Sequence, residues 1–198
     1  MQLQNMDAPI ISVITVCYNV ASTIEKTMLS VLNQTYKNLE YIIIDGNSTD
    51  GTVDIIKKYA ERLTFWISEP DKGIYDAMNK GIVKATGKFL IFMNAGDQFL
   101  NEKVLSKCLP YFLQEIDVIS GIGYLSGQKW IPAKATDLSV AFFLKKSLNH
   151  QATFINRKLF QDNLYRTDLK IVGDSVFFFQ ALIMDNASYV DIPIEIAL

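Results

Sequence analysis

The chain has 198 residues, enough for one domain, and 49% of them are hydrophobic, enough for a sizeable core. Its 19 basic residues nearly balance 21 acidic ones, which excludes a surface built to neutralise duplex phosphates, so no nucleic-acid partner is expected. One small anion held by a few groups remains compatible with that balance.

The amino-terminal MQLQNMDAPIIS lacks a basic segment followed by a long apolar one, so no signal peptide is expected. IISVITVCY (10–18) reads as a buried strand. STIEKTMLSVLNQ follows, with Ser22 as N-cap and Glu25 three residues on, the pattern of a capping box. Ile24, Met28, Val31 and Leu32 mark one face of that helix. LEYIIID (39–45) is a second strand, and TVDIIKKYAERL a helix capped by Ser48 or Asp50. LTFWISE is a third strand and IYDAMNKGIVKA a third helix, closed by Gly87 at a C′ position. KFLIFMN is the fourth strand. Strands apolar on both faces, alternating with helices, predict an α/β fold with a mostly parallel sheet covered on both sides.

In the second half NEKVLSKCLPYFLQE reads as helix, with Pro110 a kink or break. DVISGIGYL and QKWIPA pair as strands, LSVAFFLKKSL reads as helix, HQATFI as a strand before RKLFQDN, DSVFFFQALIMDN as a buried helix and SYVDIPIEI as a last strand. No repeat, low-complexity tract or linker divides the chain, which is one domain over 1–198. No apolar run reaches the roughly 18 residues of a spanning helix. Cys17 and Cys108 lie in apolar segments without zinc-type spacing and read as reduced, buried thiols. These features together point to the cytoplasm.

Ligands of such sheets bind outside the carboxyl ends of the strands. Each of the first four strands ends there in polar residues: Tyr18 and Asn19, Asp45, Glu69 and Asp71, Asn94 and Asp97. Taken singly, each has a plain reading. Asp45 in YIIIDGNSTDG is a turn residue; Asn94 and Asp97 flank a glycine turn; Asp76 and Lys80 form an i,i+4 pair at a helix entrance. The alternative for Asp97 is a divalent cation beside a diphosphate, since a hard cation takes few protein carboxylates. GIGYLSG (121–127) lacks the spacing of a dinucleotide-binding loop. His150, the one histidine, sits in a polar patch before an apolar strand. Asp174 heads a helix, as a first-turn carboxylate or as a general base. The Phe177–Phe179 run reads as core.

Three stretches taken together, ISVITVCYN, SVLNQTYKNLEYIIIDGNSTDGT and ISEPDKGIYDAMNKGIVKATGKFLIFMNAGD, resemble the family-2 inverting glycosyltransferases of GT-A fold that build bacterial surface polysaccharides. The likeness is strong over about 10–100, the nucleotide-sugar-binding half, and looser in HQATFINRKLF and at Asp174, in the acceptor-side half at about 101–198. The resemblance implies a Rossmann-like GT-A sheet and a nucleotide-diphosphate sugar donor, often a uridine one. Thr15, Tyr18 and Asn19 would touch the nucleotide, Asp45 would accept from the base, Asp71 and Lys72 would lie along the donor, and Asn94 would join them. The fourth-strand motif usually carries a cluster of aspartates for ribose and metal. Here Asn94 and Gly96 stand in place of two of them. Asp97, with help from His150, would bind Mn²⁺ or Mg²⁺, and Asp174 would be the base. The implied acceptor is a glycan or lipid-linked glycan. LSVAFFLKKSL offers peripheral contact with the inner membrane leaflet as an alternative to a core helix. Two other readings stay open: a non-catalytic nucleotide-sugar-binding module, and a sugar nucleotidyltransferase. The latter would want a Gly- and Arg/Lys-rich loop after the first strand, which CYNVASTIE does not offer.

Overall fold

The computed structural model of the chain describes residues 8–198. The signal-peptide expectation rests partly on residues 1–7, which lie outside them. The first half contains β1 (Ile11–Cys17), α1 (Ile24–Leu32), β2 (Leu39–Asp45), α2 (Thr52–Lys58), β3 (Phe65–Ser68), α3 (Ile74–Lys84) and β4 (Phe89–Phe92). The second half adds α4 (Val104–Phe112), β5 (Val118–Leu125), β6 (Gln128–Trp130), a one-turn α5 (Val140–Phe143), β7 (Thr153–Asn156), α6 (Gly173–Phe179) and β8 (Tyr189–Ala197).

β1 is buried along its whole length, so both of its faces need cover. It pairs in parallel with β2 on one edge and β4 on the other, and β3 adds outside β2. β7 pairs antiparallel with β4 and β5, and β5 pairs antiparallel with β6 and parallel with β8. Only β6 and β7 oppose the common direction of the eight-stranded sheet. Alternation along each strand sends Ile11, Val13, Ile43 and Ile91 towards α1, α2 and α4. Ile14, Ile42, Leu90 and Phe92 face α3 and α6 on the other side. The expected α/β sheet with helices on both faces is the one observed.

Several local expectations change. The capping box does not form: α1 begins after Thr23 without a side-chain cap, and Glu25 accepts from the Tyr59 hydroxyl at 2.8 Å. Asp50 does hold the first turn of α2, accepting from Thr52 N at 3.0 Å across Gly51. Gly87 does not close α3, which ends at an extended Ala85. A Cβ at Gly87 would stand 2.7 Å from the Ile10 carbonyl oxygen, so close packing explains this glycine. α4 runs through Pro110 to Phe112. Its proline lies near the end, where the turn has little helix left to break. LSVAFFLKKSL forms only α5, capped by the Ser139 hydroxyl, and His150–Ala152 is a 3₁₀ turn ahead of β7. α6 continues into a wider π turn over Gln180–Met184. Phe177 and Phe178 are core, as expected, and Cys17 and Cys108 are buried free thiols.

At the far end of the sheet, Glu40 of β2 is buried and accepts from the Ser12 hydroxyl, Thr86 N, Thr86 Oγ1 and Gly87 N. This carboxylate ties β1, β2 and the α3–β4 turn together. The sequence reading passed over it.

Candidate active site

The strand order β3-β2-β1-β4 changes direction at β1, and a cleft at the carboxyl ends is the expected consequence. Cys17, Asp45 and Ser68 are in register across β1, β2 and β3. Ala95 N donates to the Val16 carbonyl, which brings the β4 exit to the same level. A hollow of about 310 Å³ lies there, lined by Tyr18, Asp71, Gly73, Ala77, Asn94 and Ala95 among others.

The residues selected from the sequence divide into those at this cleft and those beneath it. Tyr18 is exposed on the rim. Asn19 follows in the left-handed region at φ 51°, which asparagine tolerates. Its Oδ1 accepts from Thr49 N, and its own N–H donates to Ser48 Oγ, so the β1 and β2 exits are laced together. Asp71 leans over Gly46, where a Cβ would stand only 2.5 Å from its Oδ2. That glycine admits the β3 loop to the β2 exit. Lys72 is exposed on the same loop, which Lys80 holds by bonding the Pro70 carbonyl and Glu69. Thr15 is a correction. It is fully buried, shares a hydrogen bond with Tyr41 and donates to the Met93 carbonyl, so it cannot touch a ligand. Asp45 is fully buried as well and accepts from Ser48 N, Ser48 Oγ, Ser68 Oγ and the Cys17 thiol. Four donors fill a carboxylate, so Asp45 in this state shapes the loop. A base N–H would have to exchange with one of them.

The second cluster joins the two halves of the chain. Asp97 Oδ2 accepts from Asn94 N, closing the turn after β4. His150 stands between Asp97 and Asp174, with Nε2 3.8 Å from Asp97 Oδ2 and Nδ1 3.5 Å from Asp174 Oδ2. Burial disfavours its charge, but the Asp174 and Asp97 carboxylates outweigh burial and its pKa rises to about 9. In this arrangement His150 bridges the two carboxylates. A cation bound at either ring nitrogen would have to displace its proton. Nε2 also lies 3.1 Å from Asn94 Nδ2, so the charged ring calls for the amide oxygen on that side. Asp174 Oδ1 accepts from the Tyr75 hydroxyl at 3.0 Å and from Ser175 N at 2.9 Å. Burial would raise its pKa, yet His150 and these donors hold it below the usual carboxylate range, so it is ionised at neutral pH.

Tyr75 was missed by the sequence reading. Its partner is 99 positions away, and nothing local marks it. Burial lifts its pKa to about 12, which keeps the hydroxyl a donor. Two features press the second half of the chain onto α3. Asn79 exchanges both amide bonds with the Tyr165 backbone, and Tyr75, Tyr165, Phe160 and Phe177 form one aromatic cluster. Gly173 completes the approach, since a Cβ there would be 2.7 Å from the Tyr75 ring.

A divalent cation would find the Asp97 carboxylate here, joined by Asn94 Oδ1 when the amide turns its nitrogen rather than its oxygen to His150. These suit Mg²⁺ or Mn²⁺. Among the described residues no group of three or more His, Cys, Asp and Glu gathers to hold a metal. Phosphate oxygens and water would complete the shell.

A mostly parallel sheet covered by helices on both faces, with its cleft at the β1/β4 switch point, is the GT-A glycosyltransferase fold. Solved structures share it: S. aureus TarS 1–349 in complex with UDP-GlcNAc (TM-score 0.77, 21% identity, 95% of this chain and 57% of that one), and the mannosyltransferase PcManGT from Pyrobaculum calidifontis in complex with GDP-Man and Mn²⁺ (TM-score 0.74, 21% identity, 95% and 56%). The model of glycosyl transferase family 2 matches residues 12–186, and the chain belongs to that family. Among its relatives is an uncharacterised glycosyltransferase of Mycobacterium tuberculosis, 32% identical over 192 residues, covering 89% of this chain and 70% of that one. A PGL/p-HBAD biosynthesis glycosyltransferase of Mycobacterium bovis is 34% identical over 161 residues, covering 78% and 62%. The chain thus spans between about half and two thirds of the length of most of these proteins. Among the described residues no helix is long and apolar enough to cross a membrane.

Proposed function

We propose that this chain carries out inverting transfer of a sugar from a nucleotide-diphosphate donor, a uridine one in the first instance, to a hydroxyl of a glycan or lipid-linked glycan in surface polysaccharide synthesis at the cytoplasmic face of the membrane. The observation that carries the reading is the meeting of Asp174, from the second half, with Asp97 across His150 at the edge of the switch-point cleft. One wall then serves a donor and the other an acceptor.

In this reading Tyr18, Asn19, Asp71 and Lys72 border the nucleotide, and Asp45 takes a base N–H by exchanging the Ser48 hydroxyl. Asp97 and Asn94 would hold a divalent cation, Mn²⁺ or Mg²⁺, which supplies positive charge where the leaving diphosphate gains negative charge. The acceptor oxygen bonds to the anomeric carbon as that carbon's bond to the diphosphate oxygen breaks. The electron pair leaves with the nucleoside diphosphate, and Asp174 takes the acceptor's proton. General base help of this kind contributes typically about 10²–10⁴-fold. One displacement from the opposite face inverts the anomeric centre. Tyr75 and Ser175 keep Asp174 oriented from its Oδ1 side, leaving Oδ2 for the acceptor as His150 gives way.

The test is calorimetry with UDP, with and without Mn²⁺, followed by UDP release from a panel of UDP-sugars. Asp174→Asn should retain UDP binding and lose transfer by about 10²-fold or more. Transfer by this variant at the wild-type rate removes Asp174 as the base. The thinned aspartate cluster favours a second reading, a non-catalytic sugar-nucleotide-binding module. UDP binding indifferent to metal, without turnover of any donor, would select it.

A further inference from the structure

The hydrogen-bond donors around Asp174 are unevenly matched to their acceptors. The Tyr75 hydroxyl lies 2.8 Å from the Ile171 carbonyl oxygen and 3.0 Å from Asp174 Oδ1. A phenol has one proton, so it serves only one of these two acceptors at a time. The neighbouring Tyr165 shows the opposite imbalance. It is 3% exposed, and its hydroxyl is enclosed without a hydrogen-bond partner among the described residues. Buried hydroxyls are rarely left so, and an exception calls for a reason.

Tyr165 is firmly placed. Its backbone N–H and carbonyl are both held by the Asn79 amide. Its ring packs against Phe92, Phe160, Phe177 and Tyr75, with centroids 5.2 to 5.5 Å apart. Burial first, then the nearness of Asp174 and of Tyr75, holds its pKa well above the ordinary value, so the group remains a donor. Packing accounts for the ring but not for the hydroxyl, because a phenylalanine would fill the same space without stranding a polar group. An unused donor therefore sits beside a carboxylate that shares the one proton of its other phenol with a backbone carbonyl.

We propose that Tyr165 is a positioning residue for Asp174: when His150 gives way, the Tyr165 hydroxyl donates to the Asp174 carboxylate and the Tyr75 proton is left to the Ile171 carbonyl. In the arrangement seen, Asp174 Oδ2 faces His150 Nδ1 at 3.5 Å, and Oδ1 takes Tyr75 and Ser175 N. Departure of the ring strips a largely buried carboxylate of its nearest partner, and such a group needs a replacement donor. The free phenol of Tyr165 supplies one without bringing in water or a new charge. The exchange keeps Asp174 ionised and oriented while one of its oxygens meets an acceptor hydroxyl. Its use in catalysis rests on the transferase reading, but the exchange itself does not.

Urea unfolding of a double-mutant cycle on the full chain tests the exchange without turnover. Tyr165→Phe alone should leave stability unchanged or raise it, since the hydroxyl it deletes makes no bond. In a His150→Ala background, where Asp174 needs the new donor, Tyr165→Phe should lower the folding constant about tenfold or more. Tyr75→Phe leaves Asp174 Oδ1 short of a donor and gives a second background, with the same loss expected, should His150→Ala not fold. The kinetic arm is sugar transfer: Tyr165→Phe should lower kcat about tenfold with the donor KM unchanged. An equal cost of Tyr165→Phe in every background would make its hydroxyl an ordinary structural group, and no cost in any would make it idle. A raised KM at unchanged kcat would make it a binding residue. Each of these overturns the proposal. If no donor is turned over by the wild type while the cycle shows the coupling, the transferase reading fails and the exchange stands. If the wild type transfers sugar and the cycle shows no coupling, the exchange alone is lost.

Discussion

Replacing Glu40 by glutamine removes one charge and almost no shape. Three bonds converge on Oε1, from the Ser12 hydroxyl, Thr86 N at 2.5 Å and Gly87 N at 2.9 Å, and Oε2 accepts from Thr86 Oγ1 at 2.9 Å. A glutamine can keep its oxygen at the crowded side and turn its NH₂ to the Thr86 hydroxyl, which can reverse and accept. All four contacts survive, but none is charge-assisted. Bonds to charged groups stabilise by about 1.5–3 kcal/mol against about 0.5–1.5 for neutral ones. The loss is therefore about 1 kcal/mol for each bond to Oε1, reduced by relief of the carboxylate's desolvation, or about 2 kcal/mol in all. For a domain of this size that lowers Tm by about 4–8 °C.

The pH dependence gives a second handle. Burial alone would raise the Glu40 pKa, but bonds from Ser12, Thr86 and Gly87 reverse this and hold it below the ordinary value. A carboxyl with a lowered folded pKa adds stability above its unfolded pKa, near 4.3, and loses it as pH falls through the folded pKa. The gap between wild type and Glu40→Gln should thus be full at pH 7 and begin to shrink once pH falls below the unfolded pKa, about 4.3. Urea unfolding at pH 7, 5 and 3.5 measures it. A gap under about 0.5 kcal/mol at pH 7, or one that ignores pH, refutes the argument that the charge holds this junction.

Gly46→Ala places a Cβ 2.5 Å from Asp71 Oδ2 and 3.3 Å from the Tyr18 ring; UDP affinity should fall about tenfold by calorimetry with Tm nearly unchanged, because the strained atoms are at the rim. Gly173→Ala presses on the Tyr75 ring inside the core; it should cost about 1–3 kcal/mol in urea unfolding and slow sugar transfer while UDP affinity holds. Tyr75→Phe removes the donor to Asp174 and to the Ile171 carbonyl; a loss of about 1 kcal/mol and slower transfer at unchanged UDP affinity are expected, and an unchanged transfer rate would detach Tyr75 from the base.

The amino-acid sequence alone determined the strands and helices of the first half. Runs such as ISVITVC and LEYIIID allow little but doubly covered parallel strands, and such strands deliver their polar exits to one rim. That reasoning selected Tyr18, Asn19, Asp71, Asn94 and Asp97 for the cleft. Side-chain direction decided the rest: Thr15 is too deep to meet a ligand, and Asp45 is turned inward onto Ser48 and Ser68, where a base N–H must displace one of its bonds. In the second half the local signals are weaker, so LSVAFFLKKSL shrank to one turn and HQATFI gave its first residues to a 3₁₀ turn. Only the tertiary structure brought His150 between Asp97 and Asp174, set Tyr75 beneath Asp174, and closed Glu40 onto Thr86 and Gly87. These contacts join residues dozens of positions apart. They are fixed by helix packing and by glycines that let backbones touch, and no local pattern records that geometry.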